Sequence, residues 1–132
     1  RLKKFFGDNN ILEKEPICDI DKVFIEKFKK LIEDGISNSE LNVEDLGKDM
    51  GLSRVQLYRK IKALTNYAPN ELLRIARLKK ASTLMSSSDM TIAEICYEVG
   101  FTSPSYFSKC YKEYFGESPT EYLKRIGISK PS

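Results

Sequence analysis

Two sets of side chains in this chain have types and spacing suited to holding a polyanion rather than to making or breaking bonds. Arg54, Val55, Tyr58, Arg59 and Lys62 fall at one, three and four residues apart, which places them on one stripe of a helix. Ser105, Ser108, Lys109 and Lys112 form a similar stripe further on, with Ser103 just ahead of it. Stripes that are polar and basic with few acids suit a helix entering the major groove of DNA. Arg59 carries the forked donors that meet guanine O6 and N7 together, and Lys109 occupies the corresponding slot. Arg54, Lys62 and Lys112 are expected on phosphates, contacts that position a protein without specifying sequence. Val55 suits a thymine methyl, Tyr58 shares its face, and Ser105 and Ser108 offer small hydrogen-bonding groups beside the groove. Ser103 is expected to cap a helix first and to reach a phosphate second.

Catalytic parts are missing from the same sequence. There is no His, which removes Ser–His and Cys–His catalysis and the two-His zinc finger. No Cys pairs with a base, no glycine-rich loop cradles a phosphate, and no carboxylates cluster, so no catalytic residue, metal site or cofactor is assigned. The chain is expected not to be an enzyme. Cys18, Cys96 and Cys110 are odd in number and lack CxxC spacing, so they are expected to be reduced structural thiols. No run of 18 apolar residues is present to span a bilayer. The chain starts at Arg1 with no leader pattern and is expected to be an excerpt of a longer protein.

Net charge is only +3, but it is unevenly spread. Residues 54–80 carry eight basic side chains against Glu71 alone, whereas 1–40 and 81–132 each net −1. That concentration marks a polyanion-facing region.

The elements that must carry these stripes are helical throughout. Residues 1–18 have a Gly7–Asn10 turn cluster and Pro16, and are expected to be a connector from an upstream domain. Asp19 or Asp21 is expected to cap a helix to about Asp34, with Val23, Phe24, Phe28, Leu31 and Ile32 as its apolar stripe, and Ser37–Glu40 is a polar loop. Further helices are expected over Val43–Met50, from Ser53 to about Leu64, from Pro69 to about Met85, from Thr91 to Val99, from Ser103 to Phe115, and from Ser118 to Ile126. A Ser86–Ser88 loop follows the long helix.

An internal repeat organises them. Gly51 matches Gly100 at an offset of 49, with Val43 on Ile92, Leu46 on Ile95 and Met50 on Val99. Beyond the glycine the offset becomes 50: Leu57 meets Phe107, Arg59 meets Lys109, Ile61 meets Tyr111, Leu64 meets Tyr114, and Ala68-Pro69-x-Glu71 meets Ser118-Pro119-x-Glu121. Each copy is a short helix, a glycine turn and a longer helix, which is the helix-turn-helix pattern. Leu57, Ile61 and Leu64 in one copy, and Phe107, Tyr111 and Tyr114 or Phe115 in the other, are expected to face inward. Tyr106 is expected to join that aromatic core, and Cys96 and Cys110 to lie inside as small hydrophobes.

The fold class is therefore all-α: two helix-turn-helix subdomains joined by a long linker helix, about seven helices in all. The expected divisions are a connector (1–18), an N-terminal helix and loop packing on the first module (19–40), the first helix-turn-helix (41–67), the linker (68–88), the second helix-turn-helix with a final helix (89–126), and a tail (127–132). On the linker, Arg74, Arg77, Lys79 and Lys80 are expected to mix salt bridges, core edge and weak phosphate steering.

The segments LSRVQLYRKIKALTNYAPNELLRIARLKKASTLM and TIAEICYEVGFTSPSYFSKCYKEYFGESPTEYLKR resemble the DNA-binding domain of the AraC/XylS family over about residues 41–126. Cys110-Tyr111 stands where that family usually has Phe, and Lys124 where Arg is frequent; neither lies on the recognition stripe. The resemblance implies seven helices and sequence-specific binding to double-stranded DNA. It implies two recognition helices, about 53–64 and 103–115, in successive major grooves. RLKKFFG and the helix after it resemble the output segment of hybrid two-component regulators, in which such a domain follows a receiver at the end of a membrane-anchored sensor kinase. That second resemblance implies an activator of carbohydrate-use genes in the cytoplasm, with the full protein held in the inner membrane. Its partners would be RNA polymerase, the upstream receiver and sensor, and a second copy through missing regions. A regulator with an upstream small-ligand domain is the competing context. The competing function is a helical protein-interaction module using the same basic helices on an acidic partner.

Overall fold

The computed structural model describes residues 19–130, so the expected connector 1–18, Cys18 and the end of the tail lie outside the described residues. Seven helices are present among the described residues: α1 Asp19–Asp34, α2 Val43–Asp49, α3 Arg54–Thr65, α4 Pro69–Ser87, α5 Ile92–Glu98, α6 Pro104–Phe115 and α7 Pro119–Ile126. No strand occurs among them.

Local chemistry fixes the helix ends. Ser53, Thr91 and Ser118 each accept from the backbone N–H three residues on, while Gln56, Glu94 and Glu121 return a side-chain bond to the cap's N–H. Asn42 and Ser103 cap α2 and α6 through the first of those bonds alone. At the other ends Asn66 and Gly116 take the left-handed conformation after α3 and α6. The repeat is thus visible in the backbone: α2 and α5 are both seven residues long, and α3 and α6 both twelve. Their first residues keep the offsets of 49 and 50 seen in the sequence.

The chain divides into two compact units. The first comprises described residues 19–35 and 41–76, the second 36–40 and 77–130. In the first, α1 packs on α2 and α2 on α3, and the buried side chains are mainly aliphatic: Ile25, Phe28, Ile32, Leu46, Leu57, Ile61, Leu72 and Ile75 among them. The second is built on aromatic rings. Phe107 stacks edge-on to Phe101 at 5.2 Å and lies 5.9 Å from Tyr111, and Tyr111 lies 4.5 Å from Phe115. Leu78, Ala81, Met85, Ile95 and Leu123 complete that core. α4 therefore supplies Leu72 and Ile75 to one core and Leu78 and Met85 to the other.

Four expectations change. Val23 is 67% exposed and Ile25 is buried in its place, so the inward stripe of α1 is Ile25, Phe28 and Ile32, with Phe24 and Leu31 partly buried. Tyr106 is 49% exposed and leaves the aromatic core to its neighbour Phe107. α4 runs on through Ser86 and Ser87, whose hydroxyls donate to Thr83 O at 3.2 and 2.7 Å. These local bonds satisfy groups that a loop would otherwise leave to water. Arg77 is buried and makes no ion pair among the described residues.

Candidate nucleic-acid interface

α3 buries Leu57, Ile61 and Thr65 and turns the opposite stripe outward. Arg54, Val55, Tyr58, Arg59 and Lys62 are all exposed on it, Val55 at 58% and Tyr58 at 47%. Val55 and Tyr58 thus leave apolar surface exposed among the cations Arg54, Arg59 and Lys62. The base of α3 is tightly made. Thr65 Oγ1 donates to Ile61 O at 2.8 Å and accepts from Tyr67 N–H at 3.1 Å. Asn66 then turns the chain, and Ala68 N–H donates to Glu71 Oε1 at 2.8 Å.

α6 buries Phe107, Cys110 and Tyr111, which leaves Ser105, Lys109 and Lys112 exposed and Ser108 partly buried. Ser103 is partly buried and caps the helix: its Oγ accepts from Tyr106 N–H at 3.2 Å and shares a hydrogen bond of 3.1 Å with Ser105 Oγ. The capping expected of Ser103 is present, and Ser105 is drawn into the same small network. Cys96 and Cys110 are free and buried, and burial pushes the Cys96 thiol up.

The electrostatics separate the eight basic residues of 54–80. Arg77 is buried. Lys60 is tied down, with Nζ 3.2 Å from Asp21 and 5.2 Å from the centre of the Phe24 ring. Glu71, the lone acid of that stretch, spends one oxygen on Ala68. Arg54, Arg59, Lys62 and Lys109 have no ion-pair partner among the described residues. Lys112 lies near Glu121, whose carboxyl is held below its usual range first by the Ser118 backbone N–H and next by that lysine. No group of His, Cys, Asp and Glu able to hold a metal occurs among the described residues, and none of their helices is long and apolar enough to cross a membrane.

Sequence reasoning missed two members of these faces. The offset of 50 pairs Gln56 with Tyr106, and both are exposed. Gln56 is engaged in the cap, its Oε1 accepting from Ser53 N–H at 2.9 Å. Tyr106 instead presents its ring outward, 6.1 Å from Phe101. The repeat itself held that signal, but grouping Tyr106 with neighbouring aromatics hid it.

The model of a helix-turn-helix domain family matches residues 46–125. Histidine kinase P4 of Formosa agariphila is 41% identical over 127 residues, 95% of this chain and 9% of that protein. The raffinose operon transcriptional regulatory protein of Pediococcus pentosaceus is 38% identical over 86 residues, 65% of this chain and 31% of that protein. The chain thus spans less than a third of either relative. Among solved structures, the C-terminal domain of AraT, a response regulator from Geobacillus stearothermophilus, aligns with TM-score 0.73 and 28% identity over 89% of this chain and 92% of that one. A transcriptional regulator from Chromobacterium violaceum, described as having an AraC-type DNA-binding domain, aligns with TM-score 0.73 and 27% identity over 84% of this chain and 96% of that one.

Proposed function

The chain belongs to the AraC-type helix-turn-helix family, and from that premise we propose how it binds DNA and what it serves. α3 and α6 enter successive major grooves about one helical turn apart. Arg59 and Lys109 reach base edges; Arg54, Lys62 and Lys112 grip phosphates; Val55, Tyr58, Ser105 and Ser108 line the grooves, and Ser103 lies at a phosphate. Tyr106 and the rim of Gln56 extend these faces. One observation carries this reading: the two matched helices turn outward their cations, and Arg54, Arg59, Lys62 and Lys109 lack acid partners among the described residues. No reaction is assigned, since the family acts by binding DNA.

In the whole protein this domain is the output of a two-component signalling protein in a bacterial cytoplasm, downstream of a receiver and a sensor anchored in the inner membrane. The likeness to a histidine kinase and to a response regulator's C-terminal domain supports the two-component placement. The likeness to a raffinose operon regulator supports control of carbohydrate-use genes; contact with RNA polymerase and dimerisation upstream belong to the same proposal.

Selection of bound fragments from a random DNA library tests the binding reading. The expected result is two short preferred blocks about one turn apart, with affinity falling steeply as salt rises, because several phosphates release counterions. Binding without sequence preference and with little salt dependence would instead favour the acidic-protein partner.

A further inference from the structure

Arg77 is the only charged side chain buried among the described residues, at 6% exposure. The DNA-facing surface does not use it. Its Nη1 donates to Ile36 O and to Val99 O, each at 3.1 Å, and its Nη2 donates to Asn38 O at 3.1 Å. A buried cation without a counter-ion is costly unless dipoles take the place of water, and burial lowers the pKa of this guanidinium. The three carbonyls supply those dipoles. Val99 caps the C-terminal end of α5, where the helix dipole is negative. Ile36 and Asn38 lie in the short segment after α1 that groups with the second unit.

Gly100 completes the arrangement. Its φ is +92°, and a Cβ there would overlap both Arg77 Nη1 and Ile36 O. Only glycine leaves the guanidinium room to reach all three acceptors. Gly51, the matching residue of the first module, has nothing within 4 Å of its Cβ position. The first module makes the same turn without a staple.

We propose that Arg77 is a positioning residue for DNA reading by the second module, stapling the 36–38 segment to the Val99–Gly100 turn and so setting how α6 is presented. The segment leaving α1 thereby bears on what the second module reads, which gives an upstream domain a route to it. This inference rests on the DNA-binding reading of α6.

Library selection with this chain tests it, with Arg59→Ala and Lys109→Ala identifying the block each helix reads. Arg77→Met keeps much of the buried bulk and removes every donor. The expected variant has wild-type helix content, and its preference within the α6 block falls about tenfold while the α3 block is unchanged. Gly100→Ala, which displaces the guanidinium, should give the same one-sided loss. A folded Arg77→Met with both blocks intact overturns the proposal, and so does equal loss in both, the mark of general loosening. If Arg77→Met does not fold, Arg77→Lys, which keeps the charge on a point donor, is judged by the same two criteria. A wild-type chain that selects no sequence overturns the DNA reading itself, and this inference with it.

Discussion

The two modules share a backbone and differ in what holds it up and in what it offers outward. The first has an aliphatic core, an unfilled space at Gly51, and an added helix whose Asp21 and Phe24 clasp Lys60 on the back of α3. The second has an aromatic core and a turn filled by Arg77. Outward, α3 presents Arg54, Arg59 and Lys62, and α6 presents two lysines with hydroxyls. The two copies share helix lengths and a positive-φ glycine turn, yet different groups brace them. Bracing and reading are supplied separately, so the two copies can differ in role. The first turns three cations outward on α3 against two lysines on α6, and only the second has its turn filled by a guanidinium.

The largest expected effect separates the cores. Phe107→Ala should cost about 3–5 kcal/mol and Leu57→Ala about 2–5 kcal/mol by leaving cavities in close-packed interiors. Thermal or denaturant unfolding measures both, and an unchanged melting temperature for either would reverse the assigned helix faces. Next come the matched glycines. Gly100→Ala meets a positive φ, a guanidinium and a carbonyl, so a loss of roughly 3 kcal/mol is expected. Gly51→Ala meets only the positive φ, and about 1 kcal/mol is expected. Equal losses in the same unfolding experiment would remove the distinction between an open turn and a filled one.

Smaller still are effects confined to binding. Arg59→Ala and Lys109→Ala should each weaken a selected site by about 1–3 kcal/mol without altering stability, as titrations of DNA against each variant would show. The smallest effect is one of pH. Arg125 clasps Glu117 through Nη2–Oε2 at 2.7 Å and holds that carboxyl below its usual range. The folded state thus favours the ionised form, so this stabilisation is present at neutral pH and is lost as pH falls through the lowered pKa. The first module has Tyr67 at the matching position and no such pair. Glu117→Gln should therefore melt slightly below wild type at neutral pH, and the gap should close in acid. A gap that persists once the carboxyl is protonated in acid would assign the effect to something other than ionisation.

What could be read from the sequence was local. Turn glycines and the caps Ser53, Thr91, Ser103 and Ser118 depend on residues within a few positions of one another, and the structure has them where the spacing predicts. Asp19 and Asp21, expected as caps of α1, lie instead inside its first turn, and Asn42, which caps α2, was not foreseen. On α1 the helix was clear but its phase was not: Val23 and Ile25 are both apolar, and packing decides which one is buried. Arg77 was illegible for a different reason. Its partners are backbone carbonyls 41, 22 and 39 residues away, which no side-chain pattern announces.

On the proposed reading α3 and α6 each read a different major groove. Methylation protection at guanine N7, which lies in the major groove, tests it most directly on a selected site. Two protected clusters about one turn apart are predicted for the wild-type chain, with Arg59→Ala abolishing one and Lys109→Ala the other. A single protected cluster, or both substitutions erasing the same one, would contradict it.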